Sequence, residues 1–390
     1  MVREVVIVEA VRTPMGKRNG GLSGVHAVTL GAHVLREVVR RAGIEPGQIE
    51  DVVYGCVSQV GEQTANIGRN VVLAAGFPIH IPGATVDRQC GSAQAAIHFA
   101  ATLIQAEVAE IVVGGGVEAM SRVPMGASFA EGTIGSPWTE TMLEAFPFEG
   151  ARNQGLAAEE IARRWGITRR DVDEFAALSQ ARAAAAREAG WFAQEIVPVE
   201  VSLEGAKGVI AQDEGIRPGT IAETLANLKP SFMPDGILHA GNSSQITDGA
   251  AALLLMSAEK ARELGLRPRA RIVKQLVVGS DPELMLTGPI PATRQILAKA
   301  GLTLDQIDRV EINEAFAPVV LAWQKELDAD LRKVNVNGGA IALGHPLGAT
   351  GARLMTTLLH DLERNNLRYG LQTMCCGGGL GTATIIERLD

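Results

Sequence analysis

The stretch Ala42-Gly-Ile-Glu-Pro-Gly-Gln-Ile-Glu-Asp-Val52 returns late in the chain as Ala300-Gly-Leu-Thr-Leu-Asp-Gln-Ile-Asp-Arg-Val310. One short repeat can arise by chance, so the order of the elements after each copy decides its meaning. After the first copy come a Gly-flanked Cys90, an Ala-rich helical pattern over 92–105, and an apolar strand over 110–113 entering Gly114-Gly115-Gly116. After the second come a Gly-flanked His345, a helical pattern over 350–363, and a strand over 369–374 leading to Gly377-Gly378-Gly379. The same order twice points to a duplicated unit of alternating strands and helices, an α/β fold.

Around the repeats, Val2–Ala10 and Ile49–Val53 read as strands, and Gly83–Val86 leads into another. Thr29–Ala42 carries Leu30, Val34, Leu35 and Val38 on one side of a helix. Residues 119–248 break the pattern: a Met/Pro/Gly/Trp-rich loop over 120–150, helices near 155–165 and 171–189, and an irregular stretch over 195–248. Ala250–Ala258 is core-like again. The expected organisation is a first half made of 1–118 plus 249–270, an inserted loop domain over 119–248, and a second half over 271–390.

Composition excludes several classes. The 390 residues carry 36 Lys and Arg against 44 Asp and Glu, a net charge of −8 with no basic run for nucleic acid or an anionic membrane. Nine Phe, four Trp and two Tyr are too few for base-stacking platforms. The longest stretches without Asp, Glu, Lys or Arg are 89–106, 334–352 and 369–386; all hold Gln, Ser, His or Asn, and the latter two hold many glycines. They read as buried segments of a soluble protein rather than bilayer helices. Cys56, Cys90, Cys375 and Cys376 have no zinc-ligand spacing, and no secretory leader precedes them, so a reducing, cytoplasmic setting is expected.

Cys90, in Val86-Asp-Arg-Gln-Cys-Gly-Ser-Ala-Gln94, stands directly before a helix, where the dipole and unpaired N–H groups favour a thiolate nucleophile. His345 lies within a loop with five glycines over 338–351 and precedes a helix expected to start near Pro346. There it could take a proton from a thiol. His26, His33, His80, His98, His239 and His360 lack such a setting and read as surface or packing residues. Cys375 and Cys376 end a strand, so their side chains point oppositely and one faces the cleft. The Gly377 cluster can converge N–H groups on an oxyanion. Asn313-Glu314-Ala315-Phe316 sits at the carboxyl end of the strand 310–312, where open α/β sheets bind ligands. Cys56 is expected to be packing.

These segments resemble the thiolase family over essentially the whole chain. Asn335–Gly351 matches its N-x-x-G-G-x-I-A-x-G-H-P-x-G-x-T-G signature, Cys375–Gly381 its C-x-G-G-G-x-G signature, and Asn313–Phe316 its N-E-A-F block. The resemblance implies a five-layer αβαβα core and a ping-pong acyltransferase. Cys90, activated by His345, attacks a 3-ketoacyl-CoA; Cys375 protonates the departing acetyl-CoA enolate and then deprotonates coenzyme A. By the same resemblance Asn313 and His345 form one oxyanion site through water, and the N–H groups of Cys90 and Gly377 form the other. Ser244 contacts the pantetheine arm, Arg217 lies near the CoA nucleotide, and Phe316 belongs to the binding surface. No cofactor or metal is implied, coenzyme A being a substrate, and the working form is a homodimer or homotetramer.

Two departures stand out. Asp87 and Gln94 occupy positions where the family has a small polar and an apolar residue. Asn153-Gln154-Gly155 stands where short-chain biosynthetic members have His-Met-Gly. The second departure favours a degradative enzyme with a bulkier acyl group over one making acetoacetyl-CoA, and Leu286–Arg294 with Val86-Asp87 resembles actinobacterial catabolic members, some acting in steroid or ring breakdown.

Overall fold

The computed structural model describes residues 3–129, 135–147, 149, 153–203 and 206–389. In the first half, β1 (Val5–Arg12) and a short β2 (Gly16–Lys17) precede α1 (Ala27–Ala42), β3 (Asp51–Gly55), α2 (Ile67–Ala74), β4 (Ala84–Val86), α3 (Ser92–Gln105) and β5 (Ile111–Ala119). The middle segment supplies α4 (Glu140–Ala145), α5 (Gln154–Arg164), α6 (Arg169–Glu188), the hairpin β6 (Val199–Leu203) and β7 (Ala206–Ile210), and α7 (Ala222–Leu225). Then come β8 (Thr247–Ser257), α8 (Ala258–Glu263), β9 (Ala270–Gly279), α9 (Pro289–Ala300), β10 (Arg309–Ile312), α10 (Ala317–Leu327), α11 (Ala340–Leu343), α12 (Thr350–Arg364), β11 (Tyr369–Cys376) and β12 (Leu380–Arg388). No helix among the described residues is long and apolar enough to cross a membrane.

The duplication is visible in the pairing. In the first half β3 runs parallel to β5, β5 antiparallel to β8, and β8 antiparallel to β1. In the second half β10 runs parallel to β11, β11 antiparallel to β12, and β12 antiparallel to β9. Where β4 adds to β3, Val334 bridges Val310 in parallel. The last strand of the first half, β8, is thus supplied from beyond the middle segment. A two-residue junction, Val6 with Arg271 and Ile7 with Ala270, joins both halves into one continuous sheet.

Period-two alternation builds the layers. On β8, Ala250, Ala252, Leu254 and Met256 face the outer helices α1 and α2, while Ala251, Leu253 and Leu255 face α3 and α12. In the second half Leu371, Ala383 and Ile385 pack under α9 and α10. The order is helix, sheet, paired α3 and α12, sheet, helix, the five expected layers.

Several elements differ from expectation. The first strand starts at Val5 rather than Val2, which lies outside the described residues, as do 130–134, 148 and 150 of the expected 120–150 loop. The second strand begins at Asp51 rather than Ile49 because a one-turn helix, Pro46–Gln48, ends against Ile49. The stretch 195–248 is less irregular than its composition suggests, since it forms the β6–β7 hairpin and α7.

Gly114–Gly116 do not end their strand, as Gly377–Gly379 do; β5 runs through them to Ala119. The reason is close approach, not a turn. A Cβ on Gly114 would lie 2.9 Å from Ile97 Cα on α3, and one on Gly116 would lie 2.0 Å from the Gly348 carbonyl oxygen.

Candidate active site

Cys90 is held on a tight elbow. Gln89 takes a left-handed conformation (φ 49) with its N–H on Asp87 Oδ1 at 2.7 Å. The Ser92 hydroxyl donates to Gln89 O at 2.6 Å and accepts from Arg88 N at 2.8 Å. Gly91 caps α3, and a Cβ there would meet Cys376 Sγ at 2.5 Å. The two N–H groups assigned by resemblance to an oxyanion site, those of Cys90 and Gly377, both converge on the Cys90 sulfur. Cys90 is 2 % exposed among Met120, Leu347, Leu354, Met374 and Cys376.

This burial corrects one expectation. The helix terminus does not yield a resting thiolate: desolvation pushes the Cys90 thiol up to about 12, against the pull of those N–H groups. A proton acceptor must therefore act during the reaction.

His345 meets that need. Its backbone N–H is held by Gln245 O at 3.1 Å and Thr247 Oγ1 at 3.0 Å. Its Nδ1 lies 2.6 Å from Thr350 Oγ1, and that hydroxyl donates to Pro346 O at 2.8 Å. With its proton committed, Thr350 accepts from Nδ1–H, which leaves Nε2 unprotonated. Burial, helped by the Arg353 charge, lowers the imidazole to about 3, so it is a neutral base at working pH. The helix expected from Pro346 starts at Thr350, after a turn over 346–349 whose Gly348 N–H is held by Glu118 at 2.8 Å.

Asn313, directly after β10, is fully buried, with Nδ2 3.3 Å from His345 Nε2 and Oδ1 unpartnered among the described residues. The neighbouring Glu314 is no solvated loop acid. It accepts from Ser179 Oγ (2.7 Å), Asn335 Nδ2 (2.9 Å) and Ile341 N (3.1 Å), which fastens the loop before His345 to α6 and β10.

Cys375 and Cys376 point to opposite sides of β11. Cys376 packs with Cys90, whereas Cys375 joins the cluster containing Phe316. Desolvation pushes both thiols up, and the charge of a Cys90 thiolate adds to it in each case. Gly378 and Gly379 (φ 79 and 76) then turn the chain into β12.

The expected binding residues lie on the middle segment and α10. Ser244 is half-buried, its N–H on Ala315 O at 3.0 Å. The Phe316 ring meets Phe232 edge-on at 5.5 Å, and the Phe232 ring lies against Gly155, where a Cβ would sit 2.0 Å from it. Arg217 is exposed, with its backbone N–H on Gln180 Oε1. Asn153 caps α5 through Gly155 N and Leu156 N, so its side chain is committed to the helix start. Gln94 works structurally, accepting from Thr382 Oγ1 (2.6 Å) and donating to Thr384 Oγ1 (2.7 Å), which also meets His98 Nε2.

Sequence reasoning gave no role to Glu118, Thr247 and Thr350, and read His239 only as a surface or packing residue; with Asp173 and Asn242 it forms a buried set that holds the turn before Ser244. Glu118 carried a signal, being the single charged residue of β5. Its carboxylate accepts from Val57 N, Ser58 N, Gln63 Nε2 and Gly348 N. Cys56 lies in the first-half core as expected.

The family model described as Thiolase, N-terminal domain matches residues 5–259, and Thiolase, C-terminal domain matches 266–388. The chain is 48% identical to the steroid 3-ketoacyl-CoA thiolase FadA6 of Mycobacterium tuberculosis, covering 100% of this chain and 95% of that one. It is 47% identical to a 3-ketoacyl-CoA thiolase of Klebsiella pneumoniae over 100% of both. The crystal structure of a Bacillus anthracis acetyl-CoA acetyltransferase superposes with a TM-score of 0.91 at 43% identity, covering 100% of this chain and 99% of that one. Matched from end to end in sequence and fold, the chain belongs to the thiolase family.

Proposed function

We propose that this protein is an acyl-CoA C-acyltransferase of acyl catabolism that cleaves a 3-ketoacyl-CoA with coenzyme A. His345 Nε2 takes the Cys90 proton as the sulfur bonds to the 3-keto carbon. The oxyanion is met by the N–H groups already converging on that sulfur. Collapse breaks the bond between C2 and C3, leaving the acyl group on Cys90 and an acetyl-CoA enolate, which takes a proton from Cys375. Coenzyme A then gives its thiol proton to Cys375 and attacks the acyl-enzyme, and His345 returns its proton to Cys90. Reversal is Claisen condensation. The observation that carries the reading is a neutral His345 whose Nε2 carries no proton and lies 3.3 Å from Asn313 Nδ2, in the same chain as a buried, protonated Cys90 thiol cradled by N–H groups.

The acyl group is bulkier than acetoacetyl. Asn153, standing where short-chain members have a pocket histidine, is used as a helix cap. The segment 119–248, with Ser244 and Arg217, serves acyl-CoA binding. The working form is a homodimer or homotetramer in a reducing, cytoplasmic setting, consistent with four unpaired thiols. A chain-length series of kcat/KM tests the assignment. Thiolysis should require coenzyme A and favour acyl groups longer than acetoacetyl, whereas CoA-independent hydrolysis, or a preference for acetoacetyl-CoA, would overturn the respective claim.

A further inference from the structure

Arg353 is the most unusual charge in the molecule. It is fully buried on α12, and Nε, Nη1 and Nη2 find no hydrogen-bond partner among the described residues. Its ion pair with Glu311 is long, Nη1 to Oε2 at 3.7 Å, and Glu311 Oε2 is itself without a hydrogen bond. Buried cations are ordinarily paired and hydrogen-bonded. The other large buried arginine, Arg12, obeys that rule, meeting Glu195 at 2.7 Å and gripping Asp213 with both Nη atoms at 2.6 and 2.9 Å.

The placement of the loose pair links it to the active site. Arg353 lies one helical turn after Thr350, whose hydroxyl orients His345 through Nδ1. Glu311 lies on β10 two residues before Asn313, which directly follows the strand. Arg353 and Glu311 therefore face each other between the helix that orients the imidazole and the strand that runs into Asn313, and His345 and Asn313 themselves meet at 3.3 Å.

We propose that Arg353 is a positioning residue for the His345–Asn313 pair, a weakly compensated buried cation that holds the imidazole neutral and aligned for proton acceptance. The surrounding charges allow this. Glu195 and Asp213 attract Arg353 but are occupied by Arg12, which repels it. Glu311 is pushed well above the usual carboxylate range by burial, and Asp361 and Glu314 push in the same direction, so it quenches the guanidinium poorly. The Arg353 field then adds to desolvation in lowering His345.

The inference rests on the thiolase reading, and the test separates the two. The pH dependence of kcat/KM for thiolysis is measured between about 4.5 and 8 for the wild type, Arg353→Met, Arg353→Lys and Glu311→Gln. The wild type should show no inflection near the ordinary histidine value of about 6.5. Arg353→Met should lose activity and show an acid-side fall displaced upward from the wild type's, with KM for coenzyme A unchanged, because removing a nearby cation raises the imidazole. Arg353→Lys should keep the flat profile, and Glu311→Gln should show no upward shift. If Arg353→Met does not fold, Arg353→Gln, which keeps a polar side chain without the charge, is measured in its place and should show the same upward-displaced acid fall. A charge-free variant whose profile superimposes on the wild type, or an acid fall moved upward in Arg353→Lys or Glu311→Gln, overturns the inference. A wild type without thiolysis overturns the functional reading instead.

Discussion

Gly116 offers a sharp test of how the two halves are fitted together. It lies within β5, where a strand interior gains nothing from glycine. A methyl group there would sit 2.0 Å from Gly348 O and 2.9 Å from both Gly348 C and Gly55 O. Non-bonded carbon and oxygen rest at about 3.3 Å or more, so the 346–349 turn must give by about 1 Å. The neighbours are backbone, which cannot rotate away, and Glu118 clamps the turn through Gly348 N–H. Overpacking costs about 1–3 kcal/mol, and a collision between backbones belongs at the upper end. At an unfolding entropy of about 2.1 cal/mol/K per residue, a loss of about 3 kcal/mol lowers Tm by about 4 °C. His345 is three residues before Gly348, and a displacement of about 1 Å costs on the order of 10²-fold in rate. Thermal unfolding and kcat of Gly116→Ala should show both losses. Gly24→Ala, whose Cβ meets nothing within 4 Å, should stay within about 0.5 kcal/mol of the wild type. A Gly116→Ala enzyme with unchanged Tm and kcat would refute the close-approach argument.

The same geometry sets two other outcomes. Cys375→Ala should still acylate Cys90 from a simple acyl-CoA but lose about 10²–10⁴-fold in carbon–carbon cleavage, the range for a missing acid–base group. Cys376→Ser should remain active, and equal losses in the two variants would show that the roles are shared or reversed. Because burial pushes the Cys90 thiol up to about 12, its alkylation by iodoacetamide without substrate should rise about tenfold per pH unit from 7 to 10. A plateau below pH 8 would mean that a Cys90–His345 ion pair already exists at rest.

How much the sequence discloses depends on the range of the forces involved. Helix α3 is legible to the residue because its boundaries are local, set by the elbow at Cys90–Gly91 and the Ala-rich run behind it. The duplication is legible through repeated order, and the continuous sheet confirms it strand by strand. The triple glycine at 114–116 reads as a strand end, like its counterpart at 377–379, because its causes are close approaches made by folding, including Ile97 Cα at Gly114 and, more than 200 residues away, Gly348 O at Gly116. The charge state of Cys90 is misleading for a similar reason: the dipole is local and visible, whereas the desolvating shell of Met120, Leu347, Leu354 and Met374 is spread along the chain. Thr350 and Glu118 carry weak signals for the same reason, since their work depends on which groups folding brings against them.

The central claim is that Cys90 carries the acyl group while His345 takes its proton. Intact-protein mass spectrometry after mixing with a 3-ketoacyl-CoA in the absence of free coenzyme A measures this directly. The wild type should gain the mass of one acyl group, mapped to the peptide containing Cys90 and discharged on adding coenzyme A. His345→Ala should gain it far more slowly, and Cys90→Ala should gain none. An acyl group retained on Cys90→Ala, or mapped to Cys375 or Cys376 in the wild type, would contradict the account.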